Sequence, residues 1–160
     1  MWKEINVESR MLLKLCKDKK LTISTAESCT GGLVASSIIH NQGSSHVFQQ
    51  GYITYSNKSK HKELNIPIKA LNQYGAVSKE ISQFMLTGLL VKTKSSIGVS
   101  VTGIAGPGGS SKDKPVGLVW ITYGNRTEMV SKKFIFNGNR LEIRLKTTLN
   151  SLILLNKILK

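Results

Sequence analysis

Apolar residues recur along the chain with two different periods, and these periods divide it into helices and strands. Intervals of three and four residues predict amphipathic helices over 2–19, 30–40, 78–91 and 140–159. Short runs rich in β-branched and aromatic residues predict strands over 21–25, 47–55, 97–101, 116–123 and 128–136. A further helical turn is expected over 58–64, before a break at Pro67.

The helical spacing also predicts which side chains face the core. In the helix over 78–91, with Ser78 as its N-cap, they are Ile81, Met85, Leu89 and Leu90. In the last helix they are Leu141, Leu145, Leu149, Leu152 and Ile153.

The order of the predicted elements, α-β-α-β-α-β-β-β-α, indicates the fold class. It predicts an α/β protein, a single three-layer α/β/α sandwich with a mixed sheet. A chain of 160 residues is long enough for one hydrophobic core, so we expect one domain over 1–160. The first fifteen residues carry charges throughout, and the most apolar stretch, 149–155, is interrupted by Asn150 and Ser151. We therefore expect a cytoplasmic protein without a membrane segment.

The formal net charge of +14 raises the question of an anionic partner. Nucleic acid is one possibility for so basic a chain. The lysines are spread over several predicted elements, however, and no aromatic residues alternate with them to form a stacking platform. The pattern therefore does not favour nucleic acid, although a basic surface can help to attract an anionic small substrate.

Two glycine-rich segments follow predicted strands and carry the candidate chemistry. They are TAESCTGG at 25–32 and TGIAGPGG at 102–109. Each places hydroxyl side chains beside glycines, where the backbone can approach a ligand and present N–H groups to an anion. A hydroxyl next to free N–H donors is what a nucleophile and its oxyanion hole require. Either segment alone could be a tight turn of an α/β protein, but together they indicate a functional site.

The two cysteines and three histidines do not form a metal site. Cys16 lies in the first predicted helix and is expected in the core, whereas Cys29 adjoins Ser28 and is a rival nucleophile. His40, His46 and His61 are scattered, so we expect neither a bound metal nor a cofactor.

Five motifs in order resemble the CinA C-terminal domain family. They are TAESCTGG at 25–32, GYITYSN at 51–57 followed by Lys60, YGAVS at 74–78, TGIAGP at 102–107 and KPVG at 114–117. The resemblance spans essentially the whole chain. It implies an α/β/α sandwich, a homo-oligomer and, for members that are enzymes, nicotinamide-nucleotide amidohydrolase activity. That reaction converts nicotinamide mononucleotide and water to nicotinic acid mononucleotide and ammonia.

The resemblance also implies roles for particular residues. Ser28 is the candidate nucleophile, and Lys60 matches the family lysine that would act as its base. A lysine can do so only if burial or neighbouring cations lower its pKa. Tyr55 matches a position beside this pair, where its phenol would donate to it or orient it. Thr102 would bind the substrate amide or support the oxyanion, together with N–H groups of Gly103 or Cys29.

The substrate-binding residues are expected around the same segments. Arg140 can offer its guanidinium to the substrate phosphate, and Arg144 is the alternative. Family members usually carry Gly-Asp-Arg where this chain has Asn139 before Arg140. The glycines expected to line the substrate site are Gly31, Gly32, Gly103 and Gly106. Glu27 would raise the pKa of Lys60 if it lay beside it, so we assign it a structural or substrate-hydroxyl role.

Two other functions remain open at this point. Family members are associated with DNA-uptake competence, so the domain could be a non-catalytic module that binds nucleic acid or a recombination protein. The same scaffold could also hydrolyse a different small amide or nucleotide, since a fold does not fix a function.

Overall fold

A five-stranded sheet forms the centre of the chain, which the computed structural model describes over residues 1–160. The strands are β1 (Ile23–Glu27), β2 (Phe48–Ile53), β3 (Ile97–Gly103), β4 (Leu118–Gly124) and β5 (Met129–Ile135). Their order across the sheet is β2-β1-β3-β4-β5. β1 pairs parallel with β2 and β3, whereas β3, β4 and β5 pair antiparallel. The sheet is therefore mixed, as predicted.

Six α-helices cover the two faces of the sheet. They are α1 (Trp2–Asp18), α2 (Leu33–Ile39), α3 (Asn57–Leu64), α4 (Ile68–Tyr74), α5 (Lys79–Thr93) and α6 (Arg140–Leu159). α1, α2 and α6 pack together on one face, and α5 lies on the other with α3 and α4 against it. A hydrophobic core fills each side of the sheet. The three-layer sandwich is confirmed, and none of its helices has an apolar stretch that could cross a bilayer.

Strand alternation decides which side chains meet at the ends of β1 and β3. In β3, Val101 points into the core beneath α1 and α6, whereas Ser100 bonds to the Ser82 carbonyl of α5. In β1, Ala26 also faces α5. Because side chains alternate along a strand, Ser28 and Thr102 continue the α5 side at neighbouring carboxyl ends.

Two helices begin at points that the apolar pattern did not reveal. α2 begins at Leu33 rather than at residue 30, because Gly31 and Gly32 adopt φ angles of +60° and +94°, outside the right-handed helical region. α4 was not predicted. Pro67 ends the preceding segment but serves as the N-cap of this seven-residue helix, a position where its missing N–H costs nothing.

The predicted inner face of α6 was partly wrong. Leu141 and Ile153 are 57% and 40% exposed, whereas Thr147, Thr148 and Ser151 are buried. These hydroxyls donate to the carbonyls four residues earlier, which satisfies them inside the core. An apolar count misses such a stripe, because the buried side chains are polar but internally bonded. The predicted inner face of α5 is confirmed.

Gly88 allows α3 to approach α5 closely. A Cβ atom at this position would overlap the carbonyl oxygen of Leu64, the last residue of α3. The missing side chain therefore sets the depth at which α3 lies against the α5 layer.

Candidate active site

Ser28 and Lys60 meet at the carboxyl end of β1. The Nζ of Lys60 lies 3.0 Å from the Oγ of Ser28, although the residues are 32 positions apart. The chain leaves β2, and Ser56 caps α3 by accepting the Ser59 N–H through its hydroxyl. Lys60 and Leu64 then share the inward face of α3 with i, i+4 spacing. The position of Lys60 on the inward face of α3 therefore directs its side chain toward Ser28.

The Lys60 amine is fully buried and has no acidic partner. Its side chain is 0% exposed, and it takes part in no salt bridge. It donates instead to the carbonyl oxygens of Thr54, at 2.7 Å, and Tyr55, at 3.3 Å. Burial lowers its pKa to about 8. The neighbouring lysines, Lys58 and Lys62, are exposed, so desolvation rather than cation repulsion is the cause.

This arrangement suits the neutral amine to act as a base. A neutral amine has two N–H groups and one lone pair, and two backbone carbonyls already receive hydrogen bonds from Lys60. The third direction leads to the Ser28 hydroxyl. A lone pair aimed at that oxygen accepts the serine proton, which is the activation that a serine nucleophile needs.

Cys29, the rival nucleophile, is in a much less reactive state. Burial and the negative charge of Glu27 raise the pKa of its thiol to about 12. The thiolate is the reactive form of cysteine, so Cys29 stays protonated and inert near neutral pH. The 3.0 Å contact between Ser28 Oγ and Lys60 Nζ and the raised pKa of the Cys29 thiol together favour Ser28, the candidate named from sequence, over its rival Cys29.

A cavity of about 250 Å³ opens above the Ser28–Lys60 pair. It collects most of the predicted site residues: Ser28, Lys60, Tyr55, Thr102, Gly103, Gly106 and Arg140. The cavity is also lined by Cys29, the rival nucleophile, and by six residues that were not predicted: Ala76, Val77, Ile104, Ala105, Gly108 and Gly109. All six lie within the YGAVS and TGIAGPGG segments, which was the only indication of them in the sequence, because none of the six has a reactive side chain.

Two backbone N–H groups beside Ser28 have no hydrogen-bond acceptor in the protein. The Ser28 N–H donates to the Val101 carbonyl, but the Cys29 N–H makes no bond. Ladder alternation along β3 points the Gly103 N–H toward β1, where the Ser28 carbonyl would receive it. That carbonyl accepts the Gly31 N–H instead. The free N–H groups of Cys29 and Gly103 are therefore suited to an oxyanion hole.

Thr102 is buried at the cavity wall and bonded to the opposite segment. Its hydroxyl donates to the Ala76 carbonyl at 2.7 Å, so its one hydrogen is already used. Toward a substrate it can act only as an acceptor. An acceptor at this point suits the N–H groups of a carboxamide better than it suits an oxyanion.

Arg140 and Tyr55 meet at the exposed rim of the cavity. The Arg140 guanidinium donates to the Gly106 carbonyl at 2.8 Å and to the Tyr55 phenol oxygen at 3.1 Å. The Tyr55 phenol therefore lies on Arg140, and only the Tyr55 carbonyl contacts Lys60. Asn139, which stands where the family usually has Asp, caps α6 and forms a capping box with Glu142. The helix start that presents Arg140 is thus kept without the acid.

Three predicted site residues lie outside the cavity, around the loop after Ser28. Arg144 donates to the Thr30 carbonyl at 2.8 Å, and Gly31 and Gly32 form the turn into α2. Glu27 points to the opposite face of the sheet from Ser28. Its carboxylate accepts N–H groups at the start of α2, which places it in the structural role that was expected as one alternative.

The family model for the CinA C-terminal domain matches residues 6–159. The chain belongs to this family. Two CinA-like proteins, from Fusobacterium nucleatum and Dictyoglomus turgidum, are 49% identical over 142 residues and 44% identical over 147 residues. The aligned regions cover 89% and 92% of this chain but only 34% and 36% of those proteins. The CinA domain therefore spans about a third of the length of these relatives.

Solved structures of the family share the fold. A competence/damage inducible protein from Agrobacterium tumefaciens superposes with a TM-score of 0.92, with 38% identity and 96% of both chains covered. A CinA superfamily protein from Klebsiella pneumoniae gives a TM-score of 0.94 at 24% identity, with 97% of both chains covered. At this low identity, the second comparison supports the fold alone. Both agree with the mixed-sheet sandwich of this CinA domain.

Proposed function

We propose that this CinA domain hydrolyses the carboxamide of nicotinamide mononucleotide to nicotinic acid mononucleotide and ammonia. The observation that carries the proposal is the buried Lys60 amine, 3.0 Å from the Ser28 hydroxyl and without an acidic partner. Such a pair supports nucleophilic attack on an acyl carbon. The nicotinamide substrate itself is an expectation from the family resemblance.

The first half-reaction transfers the acyl group to the enzyme. Ser28 Oγ attacks the carboxamide carbon while its proton passes to Lys60 Nζ. The carbonyl oxygen becomes an oxyanion and is stabilised by the N–H groups of Cys29 and Gly103. Lys60 then gives the proton to the amide nitrogen, the C–N bond breaks, and ammonia leaves. An ester between the nicotinoyl group and Ser28 remains.

The second half-reaction restores the enzyme with water. Lys60, neutral again, accepts a proton from a water molecule whose oxygen attacks the ester carbon. The same two N–H groups hold the second oxyanion. The bond to Ser28 Oγ breaks, Lys60 returns the proton to that oxygen, and the carboxylic acid is released. All groups in these steps belong to the chain, to the substrate or to water.

The cavity and its rim suggest how a nucleotide would lie. A volume of about 250 Å³ is smaller than the roughly 300–1,000 Å³ typical of pockets that enclose a whole ligand. We therefore place only the pyridine carboxamide inside, with its amide N–H groups toward Thr102. The ribose phosphate then extends to the rim, where Arg140 carries a guanidinium suited to phosphate.

Ammonia release from a panel of related amides tests the substrate. The panel consists of nicotinamide, nicotinamide riboside and nicotinamide mononucleotide, each incubated with the full chain. We expect release from the mononucleotide with the highest kcat/KM. Release that does not depend on the phosphate would indicate a smaller amide as substrate, and no release from any of the three would contradict the proposal.

Turnover should increase with pH up to about pH 8. Only neutral Lys60 can accept the serine proton, and its pKa in the folded protein is about 8. Below that pH, kcat/KM is expected to rise about tenfold per pH unit, and above it to level off. Initial rates between pH 6 and 10 measure the profile. A rate that is already constant between pH 6 and 7 would show that Lys60 is not the base.

Substitution of Arg140 should weaken substrate binding rather than the chemical step. Arg140→Met keeps much of the side-chain length but removes the charged donors at the rim. We expect KM for the mononucleotide to rise about 10- to 100-fold, the usual worth of a charge-assisted hydrogen bond, with kcat reduced less. The riboside, which has no phosphate, is the matched control and should lose much less. An equal loss for both substrates would place Arg140 outside the phosphate site.

The basic surface supports a second candidate, a non-catalytic anion-binding module. Apart from the active-site cavity, a larger groove of about 540 Å³ lies between α1 and the end of α2. Its cationic residues are Arg10, Lys14 and Lys17, against one acid, Asp18, which already pairs with Lys14. DNA binding that weakens steeply with salt, in a protein that releases no ammonia, would favour this function.

A further inference from the structure

The loop from Ser28 to Gly32 is held from the face of the sheet opposite the cavity. We propose that Glu27 and Arg144 are positioning residues, which fix this loop so that Ser28 and the free Cys29 N–H face the substrate together. The inference rests on the proposed function only in taking Ser28 as the nucleophile. Neither residue lines the cavity, so both would act through the backbone.

Glu27 ties the beginning of α2 to the end of β1. Its side chain is 1% exposed, and no cation pairs with it. One carboxylate oxygen accepts the N–H groups of Gly32 at 2.9 Å and Val34 at 3.1 Å, and the other accepts that of Ala35 at 2.8 Å. These are N–H groups that a helix start leaves without intrahelical partners. Since Glu27 precedes Ser28 directly, the bonds close the loop at both ends.

Arg144 holds the middle of the same loop. It reaches across from α6, and its Nη2 donates to the Thr30 carbonyl at 2.8 Å. The guanidinium also lies 3.3 Å from where a Cβ of Gly31 would stand, so the loop is pressed against it. Thr30 itself is fully buried. The carbonyl of Thr30 is thereby fixed toward α6, away from the cavity side.

With both ends and the middle held, the remaining backbone groups have defined positions. The Ser28 N–H is bound to the Val101 carbonyl, and the Ser28 carbonyl accepts the Gly31 N–H. The Cys29 N–H is left unpaired next to the Ser28 hydroxyl. A displacement of about 1 Å in such a donor can lower a catalytic rate by about 100-fold. Loosening Glu27 or Arg144 should therefore affect Ser28 reactivity without touching the substrate.

Covalent labelling of Ser28 tests the proposal without a nucleotide substrate. An alkyl fluorophosphonate probe is attacked by Ser28 Oγ: the O–P bond forms, the P–F bond breaks, fluoride leaves, and the serine proton passes to Lys60. The rate of mass gain of the full chain measures the reaction. Glu27→Gln keeps the side-chain size but replaces one acceptor by an N–H₂ group facing the backbone donors. We expect labelling about 10- to 100-fold slower, and kcat reduced by a similar factor with KM changed little.

Glu4→Gln is the matched control. Glu4 is also an acid in the first turn of a helix, but it is exposed and lies in α1. It should label at the wild-type rate. Glu27→Gln that is folded, by circular dichroism and thermal unfolding, and labels at the wild-type rate would overturn the proposal.

Arg144→Met is the second variant in the labelling experiment, and it tests the proposal on its own if Glu27→Gln does not fold. We expect it to label more slowly as well, because the Thr30 carbonyl loses its bond to α6 and keeps only the long 3.4 Å bond from the Leu33 N–H. Normal labelling with a raised KM for the mononucleotide would instead make Arg144 a phosphate ligand and overturn its positioning role. Wild-type labelling without any ammonia release would count against the nicotinamide substrate alone. No labelling of the wild type would remove Ser28 as nucleophile, and the proposal with it.

Discussion

Lys60→Met should eliminate turnover and at the same time stabilise the fold. Methionine fills nearly the same space but cannot accept the Ser28 proton, so we expect kcat/KM to fall by at least about 1,000-fold. The activity assay is ammonia release, with Lys58→Met as the matched control. Lys58 lies on the same helix but is exposed, so its replacement should leave turnover nearly unchanged. Retained turnover in Lys60→Met would exclude the Ser28–Lys60 mechanism.

The gain in stability follows from the direction of the pKa shift. Lys60 has a pKa of about 8 when folded, against 10.5 for an ordinary lysine, so between these values the unfolded chain binds more protons. The free energy of unfolding of the wild type therefore rises with pH across this window, and the unfavourable contribution is fully present below pH 8. It amounts to about 3 kcal/mol.

Methionine removes this cost but leaves the carbonyls of Thr54 and Tyr55 without their donor, which offsets part of the gain. We expect a net increase of at least about 1 kcal/mol at pH 7, shrinking toward pH 10.5. Urea unfolding at pH 7 and 10.5 measures both values. A loss of stability at pH 7 that does not vary with pH would mean that Lys60 is not destabilised by burial.

Ser28→Ala should reduce turnover by at least about 10,000-fold, because it removes the covalent nucleophile. The variant keeps the backbone N–H groups and the cavity, so binding of the mononucleotide should persist and can be measured by calorimetry. Cys29→Ala is the discriminating companion, since it removes the thiol while keeping the Cys29 N–H. We expect it to retain at least about a tenth of the wild-type activity, because the thiol has a pKa of about 12 and takes no part.

The reverse outcome would reassign the mechanism. An active Ser28→Ala with an inactive Cys29→Ala would make the thiol the nucleophile. Mass spectrometry of the enzyme during turnover provides an independent reading, since the acyl group should accumulate on the tryptic peptide only when Ser28 is present.

The fold and the two members of the Ser28–Lys60 pair were accessible from sequence, but the geometry of the pair was not. The two apolar periods predicted the element order, and the motif order named Ser28 and Lys60. Nothing in the spacing showed that Lys60, among several lysines, is the one fully buried. Lys60 is buried because it lies on the same face of α3 as Leu64. The basic segment around it, taken alone, does not show which face of the helix is turned inward.

The expectations that the structure changed concern Arg144 and the inner face of α6. Arg144 lies outside the cavity and donates to the Thr30 carbonyl, and a sequence does not show which backbone carbonyl a distant side chain will reach. The inner face of α6 was misjudged because Thr147 and Ser151 satisfy their own hydroxyls inside the core. In both cases local bonding outweighed residue type.

Gly88 lets α5 affect the position of Lys60, although α5 adds no residue to the cavity at the Ser28–Lys60 pair. Replacing a helical glycine with alanine is a common route to a more stable protein. In this chain the new methyl group would displace the Leu64 carbonyl and drive α3 outward, which would move Lys60 Nζ away from Ser28 Oγ. The absence of a side chain at Gly88 therefore helps to set the distance between Lys60 Nζ and Ser28 Oγ. Substitutions meant to stabilise this domain should leave Gly88 unchanged.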